Sequence, residues 1–230
     1  LVSRFTSEKP VAVIIGAKGS GKTYLYREIL KRKYWEIFIS DMGGEMLEER
    51  TIVVPLLATE NIANMASSLT KAIQNYKDIL ENDTIDIAFY QNNRNKAKDM
   101  LINANSNKEW AAFWKKLMLP DGMTSIEQLN DLCRKKKKRV LFLVDGLEEL
   151  FSNTLSDKNE QLAVDALCKT VISELQVKYE NISCLVFIRK DIVQNVMSTN
   201  FEQFTGQYKG LELQWSRAEA LRMALWLVVY

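Results

Sequence analysis

Histidine is absent from all 230 residues. That excludes His-ligated zinc, His general bases and His-based nucleophile triads in one step. Cysteine is scarce: Cys133, Cys168 and Cys184 form an odd, widely spaced set, each beside apolar residues. This pattern predicts reduced, buried thiols in a cytosolic protein rather than a disulfide framework. Long apolar runs are missing too. The longest, residues 224–230, falls far short of the roughly 20 residues that cross a bilayer. Neither sign of charge dominates, and a net charge of +2 gives no global argument for nucleic acid or a membrane surface. No targeting segment is visible, and the guanine-reading pattern N/T-K-x-D does not occur, which favours adenine.

What remains is an ordinary globular composition, 47% hydrophobic and 26% charged, in a chain long enough to bury a sizeable core. The chain opens at Leu1 and stops within the apolar pattern 225–230. It is therefore expected to be a fragment of a longer protein, with further domains beyond Tyr230.

The informative stretch is Gly16-Ala17-Lys18-Gly19-Ser20-Gly21-Lys22-Thr23, a phosphate-binding P-loop of the form G-x-x-x-x-G-K-[ST]. Phosphate oxygens require several backbone N–H donors converging on one point, and glycines let the chain curl tightly enough to supply them. Lys22 would set a point charge against the β- and γ-phosphates, and the Thr23 hydroxyl would ligate Mg²⁺. The flanks agree. Residues 11–15 are continuously apolar and β-branched, as in a strand buried on both faces, while Tyr24 begins a run with helical spacing. The loop therefore opens a helix whose N-terminus favours an anion. Residues 16–24 are the expected nucleotide cradle.

A second apolar strand, Val140-Leu141-Phe142-Leu143-Val144, ends in Asp145-Gly146-Leu147-Glu148-Glu149 and reads as a Walker B element. At its carboxyl edge Asp145 can hold Mg²⁺ opposite Thr23. Hydrolysis also needs a carboxylate that orients the attacking water, and Glu148 and Glu149 are both candidates. A third buried strand, 182–188, ends in Arg189-Lys190-Asp191. Arg189 is a candidate γ-phosphate sensor, and the alternative is a pairing with a surface acid.

Residues 35–40 read as a short strand closed by a turn at 41–44, whereas 51–57 fits a strand or the start of a helix. Helices are expected over 59–80, 124–138, 159–179 and 192–197, with 81–108 polar and rich in asparagine. The stretch 59–122 reads as a helical insertion. Trp110, Phe113, Trp114 and Leu117 share a helical face that suits core packing or, as the alternative, a nucleic-acid stacking platform. Six consecutive cations, Arg134-Lys135-Lys136-Lys137-Lys138-Arg139, could grip nucleic acid or simply complement a helix C-terminus. Residues 211–213 suit an edge strand, and Ser216 with Glu219 forms a capping box for a last helix.

Taken together, residues 16–23, the D-G-L-E-E run at 145–149, the strand ending Arg189-Lys190-Asp191 and the L-E-L-Q-W run at 211–215 resemble the STAND class of P-loop ATPases. These are signal-transduction ATPases related to the origin-recognition and AAA-like families, and the chain looks most like bacterial members. The resemblance covers residues 10–23, 139–150 and 183–229. It implies a three-layer α/β fold with a parallel five-stranded sheet of order 5-1-4-3-2 and helices on both faces. It further implies an ATP/ADP switch with Mg²⁺, slow hydrolysis through Glu148 and Glu149, Arg189 as the strand-end arginine, and self-association as output in signalling or defence. The rival reading from another class is a DNA-handling ATPase that uses the cationic run.

Overall fold

The computed structural model describes residues 10–45, 47–60, 66–81, 85, 92–197, 200–207 and 211–214. The leader at 1–9, the start of the helix expected from 59, much of the asparagine-rich stretch and the Ser216-capped helix lie outside them.

Five strands, β1 (Val11–Gly16), β2 (Thr51–Leu57), β3 (Arg139–Val144), β4 (Ile182–Arg189) and β5 (Glu212–Leu213), form one sheet in the order β2-β3-β4-β1-β5. Every pairing is parallel. All residues of β1 and β2 are buried, as are all but one each of β3 and β4, so both faces of the sheet are covered. Such strands must be apolar throughout rather than alternating, which these sequences are.

Read from the β5 edge the order is 5-1-4-3-2, but the second strand is not the expected one. Residues 35–40 are not a strand: Trp35–Asp41 is a helix, α2, and Thr51–Leu57 takes the strand position. Within α2, Trp35, Glu36, Phe38 and Ile39 are buried, the spacing of a helix, whereas the apolar residues Trp35, Ile37 and Ile39 of the sequence also alternate as in a strand. The deciding contact is remote in sequence. The buried Glu36 carboxylate accepts from Thr51 N (3.1 and 3.0 Å) and from Thr51 Oγ1 (2.6 Å), tying the helix start to the first residue of β2. Residues 41–44 accordingly end a helix: Gly43 has φ +84°, Gly43 N donates to Ser40 O and Gly44 N to Ile39 O, the paired bonds of a left-handed helix terminus. Pro55 is tolerated in β2 because this is the sheet edge and the register shifts there.

Helices cover the sheet in two groups. Helix α1 (Lys22–Leu30) packs with α2 and α3 (Ala66–Leu80), where Tyr76 meets Phe142 edge-on at 6.2 Å. Among the remainder, α4 (Asn93–Asn103) reaches β2. Helix α5 (Asn107–Leu117) lies on a long helix running from α8 (Lys158–Asp165) through one π-helical turn (Ala166–Val171) into α9 (Ile172–Lys178). Trp110 and Trp114 are fully buried there. Their indole N–H groups donate to Asn159 Oδ1 (2.7 Å) and Ala163 O (2.9 Å), and Phe151 packs edge-on to both. The aromatic stripe is therefore core and offers no stacking face. Helix α6 (Ile126–Lys135), capped by Ser125, leads into β3; α7 (Leu147–Leu150) follows it; α10 (Lys190–Val196) and α11 (Phe201–Gln207) follow β4. Cys133, Cys168 and Cys184 are free and buried, as expected, and burial pushes each thiol pKa up. Among the described residues no helix is long and apolar enough to cross a membrane.

Glu36→Ala strands the Thr51 amide and hydroxyl in the core. It is expected to lower stability by about 2 kcal/mol, roughly 4–8 °C in Tm at this size. Thermal unfolding monitored by circular dichroism checks it, with the more exposed Glu28 changed to Ala as the control expected to shift far less.

Candidate functional site

Parallel strands buried on both faces must place their polar ends at the sheet edge, and here the carboxyl edge collects the chemistry. Gly16 ends β1, and its register partner across the sheet is Arg189, the last residue of β4. Asp145 follows β3 directly, its amide donating to Leu57 O at 3.1 Å. A cleft of about 560 Å³ is lined by Lys18, Gly19, Gly21, Lys22, Thr23, Tyr24, Glu148, Glu149 and Arg189. A second hollow of about 400 Å³ lies against Ala17, Lys18, Gly19 and Ser20 on the β5 side. The residues singled out from sequence are thus brought to one edge.

Gly19 and Gly21 have φ +79° and +91°, and a Cβ built on either meets nothing within 4 Å, so the loop is open where a ligand would approach. Gly16 is required for a different reason: a Cβ there would lie 2.2 Å from Ser20 Oγ. Ser20 Oγ is itself buried without a hydrogen-bond partner. Lys22 is buried and curls back over the loop, donating from Nζ to Gly16 O (3.0 Å) and Ala17 O (2.8 Å). Burial pulls its pKa below the usual lysine value, against the opposing pull of Glu148 and Asp145. Tyr24 is 68% exposed at the rim.

Asp145 is fully buried, and neither carboxylate oxygen has a hydrogen-bond partner of good geometry. Burial pushes its carboxyl up to about 6, while the neighbouring Thr23 hydroxyl draws it down. A buried carboxylate left this way beside a threonine hydroxyl is a donor set suited to a hard divalent cation and its water shell. Together with the open glycine loop, it fits a nucleotide bound with a divalent cation.

The two glutamates are not equivalent. Glu148 faces Lys22 and Arg189 electrostatically, and its Oε2 is buried with no partner. Glu149 is engaged: Oε2 accepts from Glu60 N at 2.7 Å and lies 3.1 Å from Arg94 Nη1. Arg189 lines the cleft and is held by Asp191 through Nε (3.0 Å) and Nη2 (2.5 Å), the pairing with a surface acid that the sequence offered as the alternative. The Asp191 carboxylate raises the Arg189 pKa, and Arg189 in turn lowers that of Asp191. Sequence reasoning missed Arg94, Glu60 and Tyr26. Tyr26 is fully buried, its hydroxyl has no hydrogen-bond partner, and it sits close enough for Asp145 to help raise its pKa. Its place in the helical repeat of α1 gave it away only as core; for Arg94 nothing local could have.

The cationic run lies apart from the cleft. Arg134 pairs with Asp131 (2.8 Å) and Lys136 with Glu81, while Lys138 donates to Glu49 O and stands over the Tyr34 ring at 5.2 Å.

An all-parallel sheet with the loop 16–23 between β1 and α1 is consistent with a P-loop NTPase domain. The family described as Novel STAND NTPase 1 matches residues 1–225, nearly the whole chain, and the chain belongs to that family of STAND-class NTPases. No curated protein and no solved structure matches it.

Asp145 also sets a pH dependence. Its folded-state pKa lies above its unfolded value near 3.8, so it favours folding when protonated and loses that contribution as pH rises from about 4 to about 6. Without divalent cation, Asp145→Asn is expected to be roughly 1–3 kcal/mol more stable than wild type at pH 7.5 and nearly equal at pH 4. Urea unfolding at the two pH values checks this.

Proposed function

We propose that this chain is the ATP-binding, slowly hydrolysing switch domain of a signalling or defence ATPase, whose nucleotide state controls self-association. The observation that supports it is the convergence of Lys22, Thr23, Asp145, Glu148 and Arg189 at one sheet edge around the open glycine loop.

In this reading the amides of residues 17–23 cradle the phosphates and Tyr24 lies at the rim. Lys22 exchanges the carbonyls of Gly16 and Ala17 for β- and γ-phosphate oxygens. Thr23 and Asp145 hold Mg²⁺, which when bound neutralises charge on those oxygens. Glu148, whose unpaired oxygen is free to accept a proton or a water O–H, orients the attacking water. Arg189 trades Asp191 for the γ-phosphate, so loss of that phosphate returns it to Asp191. A switch needs different affinities for the two nucleotides more than it needs fast turnover, and an arginine that changes partners supplies such a difference.

A DNA-handling role has less to stand on. Trp110 and Trp114 are core, and Arg134, Lys136 and Lys138 already have partners.

Lys22→Ala is expected to weaken Mg-ATP binding by about 100-fold or more, whereas Glu148→Gln should bind within about threefold of wild type and lose about 100-fold in turnover. Calorimetry and phosphate release measure the two. Unchanged ATP affinity in Lys22→Ala would refute the phosphate role; unchanged turnover in Glu148→Gln would move the water-orienting role elsewhere.

A further inference from the structure

The acidic pair at 148–149 has one member held by an arginine and a backbone amide and one with a buried oxygen, Glu148 Oε2, that has no partner, and the difference traces to a residue far from either motif. Helix α4 begins at the carboxyl end of β2, where Asn93 is fully buried and its Nδ2 donates to Leu56 O at 3.0 Å. The next residue, Arg94, has a side chain only 17% exposed, and its guanidinium spans three groups. Nη1 donates to Ala58 O (2.9 Å) and lies 3.1 Å from Glu149 Oε2, while Nη2 donates to Glu60 Oε1 (2.9 Å). The same Glu149 oxygen accepts from Glu60 N. Opposite this seam Gly146 has φ +82°, and a Cβ on it would lie 2.9 Å from Thr59 Cα and 3.2 Å from Arg94 Nη1. No side chain could stand there, so the backbone that follows Asp145 is pressed directly against the Arg94 brace.

We propose that Arg94 is a positioning residue for hydrolysis: by fixing and neutralising Glu149 it anchors α7 and leaves Glu148 as the unpaired carboxylate facing Lys22 and Arg189. This inference rests on the functional reading above. Two adjacent glutamates on a four-residue helix cannot both be left unpaired beside a phosphate site without repelling it and each other. One guanidinium removes that problem for Glu149 and, through the rigid link of adjacent residues, sets where Glu148 stands. An arginine suits the task because its planar fork can hold a carboxylate and a carbonyl together, which a lysine does with less geometric constraint. Because Arg94 belongs to α4, in the segment between β2 and β3, any displacement of that helix reaches the water-orienting carboxylate.

Four forms of this chain test the proposal: wild type, Arg94→Ala, Arg94→Lys and Glu149→Gln, with the double variant Arg94→Ala/Glu149→Gln closing the cycle. The expected result for Arg94→Ala is turnover lower by about tenfold to a hundredfold with Mg-ATP affinity within about threefold, and partial recovery in Arg94→Lys. The double variant should be no slower than the worse single variant. Wild-type turnover in Arg94→Ala, or losses that multiply in the double variant, would overturn the proposal. Parallel loss of nucleotide binding would also overturn it, as the mark of a merely structural role. Hydrogen exchange of amides 147–151 without nucleotide reads the brace independently. Faster exchange in Arg94→Ala supports it even if the wild-type chain proves not to hydrolyse ATP, an outcome that would sink the functional reading instead. Unchanged exchange removes the brace.

Discussion

A carboxylate sealed from water with neither oxygen in a well-formed hydrogen bond is the constraint around which this molecule is built. Asp145 occupies that position because a strand buried on both faces has only its carboxyl end free for chemistry, and Asp145 is the residue that follows β3 there. Left alone, such a group costs stability and is driven toward its protonated form. A fold does not retain that strain without a use for it, and strain of this kind collects at binding sites. The Thr23 hydroxyl at the head of α1 and the cationic Lys22 beside it are what a metal–phosphate complex needs as further partners.

The two cations of the cleft are engaged by partners that a phosphate could displace, Lys22 by loop carbonyls and Arg189 by Asp191, whereas Glu149 is fixed by Arg94 and Glu148 has an oxygen with no partner. Held groups cost little to reorganise when the exchange is one hydrogen bond for another, which is how a site can respond to one phosphate more or less. The nucleotide sites of many NTPases gain rate from such preorganisation; in this reading it serves discrimination between two nucleotides first and rate second.

The glycine loop, the strand ending in Asp145 and the arginine at the end of β4 were legible in the sequence because each is local: a motif, an apolar run and the residue after it. The buried role of Trp110 and Trp114 followed from helical spacing. Residues 35–40 were misread because their apolar positions at 35, 37, 38 and 39 fit either period, and the Glu36–Thr51 contact that decides the matter spans fifteen residues. The resemblance supplied the strand order, yet not which segment fills its second place. Nor could any pattern separate Glu148 from Glu149, since the residue that distinguishes them, Arg94, sits in a polar, asparagine-rich stretch and meets them only through the topology.

The most direct test of the central claim is a structure of the chain with Mg²⁺ and a non-hydrolysable ATP analogue. The account expects the metal within about 2.1 Å of the Thr23 hydroxyl, with the Asp145 carboxylate holding the metal or its water shell. Lys22 should have left Gly16 and Ala17 for the phosphates, and Arg189 should have parted from Asp191. A nucleotide bound elsewhere, or one bound in the loop with the Asp145 oxygens still unpartnered, would contradict it.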